Sequence, residues 1–315
     1  MQDILTITLN PAVDLATSVE HVIAGPKLYC RSPRVDPGGG GVNVARAICK
    51  LGGNAKSLVS LGGASGDRLL GLVSAEGVPV HPVPVSGETR ESFAVTDESN
   101  GAQYRFSLPG QTLTPDDGDR LIAEIAANTS HNGYVVLSGG VAPGLGDAYP
   151  ERILAAVAPR TDKLVVDTSK GALARLIAQP STPVHILRLD QREAEGAAGH
   201  ELKTAADCIA FAQALINRGV ARIIVTGRQA EGSILVTTAE CYICRTPQVP
   251  VISKIGAGDA FVGALTLSLS RGDALDLALQ WGVAAASATM GTEGTDLCDR
   301  SVVEALLPQC QVRQV

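Results

Sequence analysis

Two glycine-rich runs carry the residue types best suited to chemistry, Gly38-Gly39-Gly40-Gly41-Val42-Asn43 and Gly256-Ala257-Gly258-Asp259. The second follows a strand-like Val249-Pro250-Val251 and opens a small-residue helix predicted to run through Ser270. The first N–H groups of a helix lack intrahelical acceptors and sit at the positive end of its dipole, so such a turn is an anion hole. Asp259 falls in the first turn. A carboxylate there has two readings. It favours the helix dipole and nothing more, or it accepts a proton beside bound phosphate, as phosphoryl transfer requires.

The first run enters a helix predicted from Ala45 to Leu51 and stopped by Gly52-Gly53. A dinucleotide fingerprint needs a buried strand before the run and a third glycine, but Pro37 precedes it and Asn43-Val44 replace that glycine. A purely structural turn needs fewer than four glycines. The reading is therefore a backbone that lets a ligand approach closely. No GxxxxGK[ST] loop, protein-kinase motif set or HExxH spacing occurs. Cys241-x-x-Cys244 has no second pair or nearby His to complete a zinc site, and reads as a short strand.

Strands must position both runs. Alternation predicts a first strand at Ile4–Leu9, and further strands are read at Ala55–Leu61, Tyr134–Ser138, Leu164–Asp167, Val184–Leu187 and Arg222–Thr226. Helices are predicted at Asp67–Glu76, Pro150–Val157 and Ala205–Arg218. This alternation argues for a mostly parallel sheet covered on both faces. Residues 17–36 and 88–108 break the rhythm. In the latter, Ser92–Thr96 and Gln103–Ser107 flank Asn100-Gly101, a strong hairpin signal. Both stretches read as a lid sheet inserted into a single domain spanning 1–315. Phe93, Val95, Tyr104 and Phe106 on that hairpin predict a homodimer joined through the lids.

The composition is compatible with this frame. Of 315 residues, 45% are hydrophobic but only 3% aromatic, which suits tight helix packing on a parallel sheet. A formal charge of −6 argues against nucleic-acid or membrane partners. The N-terminus has no signal-peptide pattern and no apolar run approaches a membrane span. Seven scattered cysteines fit reduced thiols in a cytoplasmic protein.

In order, the motifs resemble the ribokinase-like, phosphofructokinase-B sugar kinases from Thr6 to about Cys298. They are Asn10-Pro11-Ala12-Val13-Asp14, Gly38–Asn43 with Val44-Ala45-Arg46, and Gly62–Gly71 with Asp67. Thr89-Arg90, Tyr104-Arg105-Phe106, Ser138-Gly139, Gly256–Asp259 and Gly294-Thr295 follow. The four glycines, with no Lys among them, are similar to the minor 6-phosphofructokinase branch. The resemblance implies a ribokinase-like three-layer α/β fold with a protruding β-sheet lid, and ATP-dependent phosphorylation of fructose 6-phosphate at C1. Tagatose 6-phosphate, fructose 1-phosphate and a catalytically weak sugar-phosphate binder remain open alternatives.

Site roles follow from the same resemblance. Asp259 would be the base, with the N–H groups of Gly256, Ala257 and Gly258 around the moving phosphoryl group. Asp14, Gly38, Gly39, Asn43 and Ser138 would hold the sugar, and Lys27, Arg90 and Arg105 its phosphate. Arg188, Asp190, Thr226, Gly227, Gly232, Gly258 and Ser287 would line the ATP side. Glu193 would order Mg²⁺ through water, and a monovalent cation such as K⁺ would be a further ligand. Three departures stand out. Asp190 replaces the Asn of a Lys-Pro-Asn pattern, Arg228–Gly232 is a residue longer than the usual turn, and Tyr29 replaces a basic lid residue. Two carboxylates about 4 Å apart repel by roughly 4 kcal/mol at an effective dielectric near 20, so Asp190 is expected either to tune metal use or to weaken ATP binding.

Overall fold

In the computed structural model, which describes all 315 residues, period-two alternation sorts the strands onto two apolar faces. Ile4, Val136, Val165, Ile186 and Val225 join one core, while Leu5, Leu137, Val166, Leu187 and Ile224 join the other. Successive side chains of a strand point to opposite faces, so strands buried on both sides make a three-layer α/β/α body.

The first half supplies β1 (Ile4–Thr8), β2 (Ala12–Val19), β3 (Arg34–Gly38), β4 (Lys56–Leu61), β5 (Val80–Pro84), β6 (Arg90–Asp97) and β7 (Gln103–Ser107). The second supplies β8 (Tyr134–Ser138), β9 (Leu164–Asp167), β10 (Val184–Leu189), β11 (Ala221–Gly227), β12 (Ser233–Val236), β13 (Cys241–Cys244) and β14 (Val312–Gln314). Ten form one sheet in the order β14-β13-β12-β11-β10-β9-β8-β1-β4-β5. From β11 to β5 every pairing is parallel, and β12 to β14 add an antiparallel edge.

Helices α1 (Gly40–Lys50), α2 (Gly63–Ala75), α3 (Pro115–Asn128), α4 (Tyr149–Val157) and α5 (Lys170–Ala178) connect the early strands. Then come α6 (Gln191–Ala198), α7 (Ala205–Asn217), α8 (Ala257–Arg271), α9 (Leu275–Met290) and α10 (Arg300–Leu306). Residues of α1, α2, α8 and α9 fill one core, and those of α3, α4, α5 and α7 fill the other. No helix is long and apolar enough to cross a membrane.

The remaining strands form a separate sheet in the order β3-β2-β6-β7, with β6 parallel to β2 and β7 returning as the predicted hairpin. Gly101 takes the left-handed conformation at its tip (φ 72°), and the Asn100 side chain accepts from the Ala102 N–H at 2.7 Å. The expected stretch 88–108 holds β6 and β7, whereas the stretch 17–36 overlaps the sheet only at its two ends. Strand β2 begins at Ala12 and β3 ends at Gly38, while residues 20–33 between them form neither helix nor strand.

Other boundaries also moved. Val249–Val251 is not a strand, because no sheet edge is available there. Helix α1 begins inside the glycine run rather than at Ala45, and α2 begins at Gly63 rather than Asp67. Cys241 and Cys244 do lie on a strand, β13.

Candidate active site

The carboxyl ends of β8, β9, β10 and β11 meet the first turn of α8, the kind of crevice in which open α/β sheets bind ligands. Helix α8 starts after Gly256, whose φ of 76° excludes ordinary side chains and turns the chain sharply inward. Asp259 therefore points back toward the strand ends. Its Oδ2 accepts from Asn43 Nδ2 at 2.9 Å, and its Oδ1 lies 3.3 Å from the Ser138 hydroxyl. The same hydroxyl is 3.1 Å from Asp167 Oδ2, and its single proton serves only one of the two carboxylates at a time. Arg188 Nη1 donates to the other Asp167 oxygen at 3.2 Å. Arg188 also lies against Gly258, where an added Cβ would sit 3.2 Å from its Nη1.

This enclosure has electrostatic consequences. Burial pushes Asp259 up to about 7, with the Asp167 charge adding to the rise and Asn43, Arg188 and Ser138 opposing it. Arg188 feels burial against its charge, but Asp167, Glu193 and Asp190 outweigh it and keep it a cation. Glu193 is pushed up to about 7, mainly by burial.

Asp190 behaves differently from expectation. It is the N-cap of α6: its Oδ1 accepts from the Glu193 N–H at 2.8 Å, and the Glu193 carboxylate accepts from the Asp190 N–H at 2.8 Å. This reciprocal box uses Asp190 to start a helix. Asn and Asp are nearly equivalent at such a position, so the substitution is conservative for the fold. The Asp190 charge does add to the rise at Glu193, but each carboxylate is held by a backbone N–H.

The first glycine run proves to admit protein rather than ligand alone. A side chain at Gly40 would strike Ser138, and one at Gly41 would strike the Ile7 carbonyl. The glycines let α1 press onto the ends of β1 and β8, which is what brings Asn43 to Asp259. Gly38 lies directly against the Asp14 carboxylate, and Gly39 is the N-cap of α1 with φ 117°.

Across the cleft stands the small sheet. Asp14 on β2, Arg90 on β6 and Arg105 on β7 line one cavity with Asp36, Ser92, Ser107 and Thr295. Burial raises Asp14 to about 6, while Arg90 and Arg105 draw it back down. Arg90 is held by the Ser92 and Ser107 hydroxyls, both at 3.0 Å, and by the Asn10 carbonyl at 3.4 Å.

Not every expected residue reaches the cleft. Lys27 is exposed on residues 20–33, with no hydrogen bond or ion pair. Ser287 is buried in α9 and its hydroxyl is committed to the Val283 carbonyl at 2.8 Å. Gly232 closes the 3₁₀ turn Gln229–Glu231, and Arg228 in that turn is buried against Cys208 and Glu231. Thr226 is buried at the end of β11 with an unpartnered hydroxyl, and Gly227 lies beside Arg188 and Asp190.

Sequence reasoning missed Asp167 and Asp36. Asp167 had a usable signal: it is the polar terminus of an otherwise apolar parallel strand. Asp36 had none, since its place opposite Asp14 depends on the β2–β3 register.

The chain is similar to known proteins over nearly its whole length. A family model described as pfkB family carbohydrate kinase matches residues 4–301. The chain is 38% identical over 301 residues to ATP-dependent 6-phosphofructokinase isozyme 2 of Mycobacterium tuberculosis, covering 96% of this chain and 88% of the relative. It is 35% identical over 298 residues to the protein of the same name from Escherichia coli K12, covering 95% and 96%. The crystal structure of phosphofructokinase-2 from Escherichia coli in complex with potassium superposes with a TM-score of 0.92 at 33% identity, over 98% of this chain and 99% of that one.

Proposed function

The chain belongs to the pfkB family of carbohydrate kinases, and from that premise we propose that it transfers the γ-phosphoryl group of ATP to the C1 hydroxyl of fructose 6-phosphate. One observation carries the reading: Asp259 in the first turn of α8 is bonded to Asn43 of the glycine run, whose first residue, Gly38, lies against Asp14 in a cavity that presents two arginines.

The acceptor oxygen attacks the γ-phosphorus, the bond to the β-phosphate oxygen breaks, and ADP departs. Asp259 takes the acceptor's proton, and a pKa of about 7 suits a base working near neutral pH. The free N–H groups of the first α8 turn face the charge that moves between oxygens. Asn43 and Ser138 hold the base in place and, with Asp14, hold the sugar. Arg90 and Arg105 receive its 6-phosphate through charge-assisted hydrogen bonds. Arg188 sits where the triphosphate must pass and offsets its charge.

No cluster of three or more His, Cys, Asp or Glu side chains assembles, so the chain offers no resident metal cage. Asp167 and Glu193 beside Arg188 do fit a magnesium ion that arrives with the nucleotide, since Mg²⁺ is usually held by one or two carboxylates plus phosphates and water. Bound there, magnesium would neutralise charge on the nucleotide's phosphates. The expectation of potassium, drawn from the family resemblance, is supported by the relative solved with that ion.

An ATP-consumption assay across sugar phosphates, free sugars and nucleosides tests the reading. Turnover should be highest with fructose 6-phosphate. Preference for tagatose 6-phosphate or fructose 1-phosphate would reassign the acceptor, and binding without turnover would overturn the activity.

The body and its small sheet are proposed to act as one domain with a lid. The outer lid face carries Phe93 and Phe106, stacked at 4.9 Å between centroids, with Tyr104 and Leu108, and all four are exposed. That face supports a homodimer paired through the lids. Light scattering at micromolar concentration should give twice the chain mass; a monomer would rule this out. Seven unbonded cysteines support a reducing, cytoplasmic setting.

A further inference from the structure

Beneath Asp259 lies a buried cation that no substrate group is assigned to touch. Arg46, on α1, is only 2% exposed. Its Nη1 donates to Asn43 Oδ1 at 2.9 Å and reaches the Pro37 and Thr295 carbonyls, each at 3.4 Å. Its Nε and Nη2 pair with Glu76 at 2.8 and 2.7 Å. Asn43 and Arg46 are three residues apart, so they share one face of α1. Beyond them, Asn43 Nδ2 donates to Asp259.

A carboxamide has two ends of nearly equal shape and opposite polarity. Flipping Asn43 would set its oxygen against the Asp259 carboxylate and its NH₂ against a guanidinium. Arginine donates only and never accepts, so it tolerates a single orientation of the amide. We propose that Arg46 is a positioning residue: it fixes the Asn43 amide so that Nδ2 faces Asp259, and thereby holds the carboxylate aimed at the acceptor hydroxyl. Its contacts with Pro37 and Thr295 tie the same group to the entry of the glycine run and to the Gly294-Thr295 segment lining the sugar cavity. A simple brace between α1 and α2 would need only the Glu76 pair. The inference rests on the reading of Asp259 as the base.

The test is a pair of kinetic and melting measurements on the full chain. Arg46→Lys keeps the charge but loses the fork, and should lower kcat by about 10²-fold, the scale of a small misplacement of a reacting group, with little change in the KM for ATP. In an Asn43→Ala background, where there is no amide to orient, the same replacement should cost nothing further in kcat. Equal losses in both backgrounds would make Arg46 a brace alone and overturn the proposal. The second arm needs no Arg46 variant and decides the matter if Arg46→Lys does not fold. Asn43→Asp keeps an acceptor for Arg46 and removes the donor to Asp259, whereas Asn43→Leu offers Arg46 nothing. Asn43→Asp should melt above Asn43→Leu while losing most of its turnover; the reverse melting order would overturn the proposal. A wild type without sugar-phosphate turnover would instead sink the functional reading, and the melting arm would still judge the orientation.

Discussion

The wall of the cleft that carries Asp259 is made from strand ends buried on both faces and the first turn of α8, whereas the opposite wall is a four-stranded sheet with one face largely in solvent. On the first wall the polar groups hold one another: Asp259, Asn43, Ser138, Asp167 and Arg188 form one connected network. On the second, Arg105 is exposed, while Arg90 is anchored by several hydrogen bonds. Reaction steps need groups fixed to fractions of an ångström, which a packed body supplies. Recognition of a substrate that must enter and leave suits a sheet free to shift. The comparison therefore predicts that body substitutions act on kcat and lid substitutions on KM.

The largest expected effect is at Asp259. Asp259→Asn removes the proton acceptor while keeping the shape, and should cut kcat by about 10³-fold, within the range for general-base loss, with little change in the sugar phosphate KM. Wild-type turnover should also fall as pH drops through about 7, where Asp259 becomes protonated. The linked stability has a definite sign. Asp259 and Glu193 near 7 and Asp14 near 6 all lie above their ordinary values, so the folded state binds these protons more tightly than the unfolded chain. That contribution is fully present below about pH 4 and is lost as pH rises through about 7. The ligand-free protein should melt at progressively lower temperature across that interval, with a shallower fall in Asp259→Asn. An equal slope would mean that Asp259 titrates normally.

Next in size is Arg90→Leu, which should raise the sugar phosphate KM by about 10- to 100-fold, the value of one hydrogen bond to a charged group, and affect kcat far less. An equal loss in kcat would erase the division between the walls. The smallest effect is expected at Asp190. Because Asn and Asp cap helices about equally, Asp190→Asn should change stability by less than about 0.5 kcal/mol in denaturant melts. The KM for ATP should hardly move. A tenfold change in it would give Asp190 a direct hand in nucleotide binding.

Much of this was legible in the residues themselves. Strand Tyr134–Ser138 and strand Leu164–Asp167 have the predicted limits, because a short run of buried apolar residues bounded by polar ones leaves little freedom. The Asn100-Gly101 turn was equally clear, since its geometry is local. Helix starts were harder. Helices α1 and α2 begin among glycines, which propensity disfavours but close packing against β1 and β8 (for α1) demands. Val249–Val251 has strand composition but no neighbouring edge to pair with.

The sequence by itself determined the class of chemistry through an ordered set of motifs that resembles one kinase family; the Gly-Ala-Gly-Asp turn alone set a carboxylate beside an anion hole and left its role open. It also pointed to the covered parallel sheet, through strands alternating with helical segments. Only the tertiary structure decided which groups that carboxylate would meet. Asn43 and Ser138 stand 216 and 121 residues from Asp259, and Asp167 reaches it through Ser138. Their meeting depends on sheet order and on α1 seating against β8, which no local spacing encodes. The same holds for Asp190, read from its type as a repulsive charge and found in place as a helix cap, because a side chain's role is set by the N–H it faces.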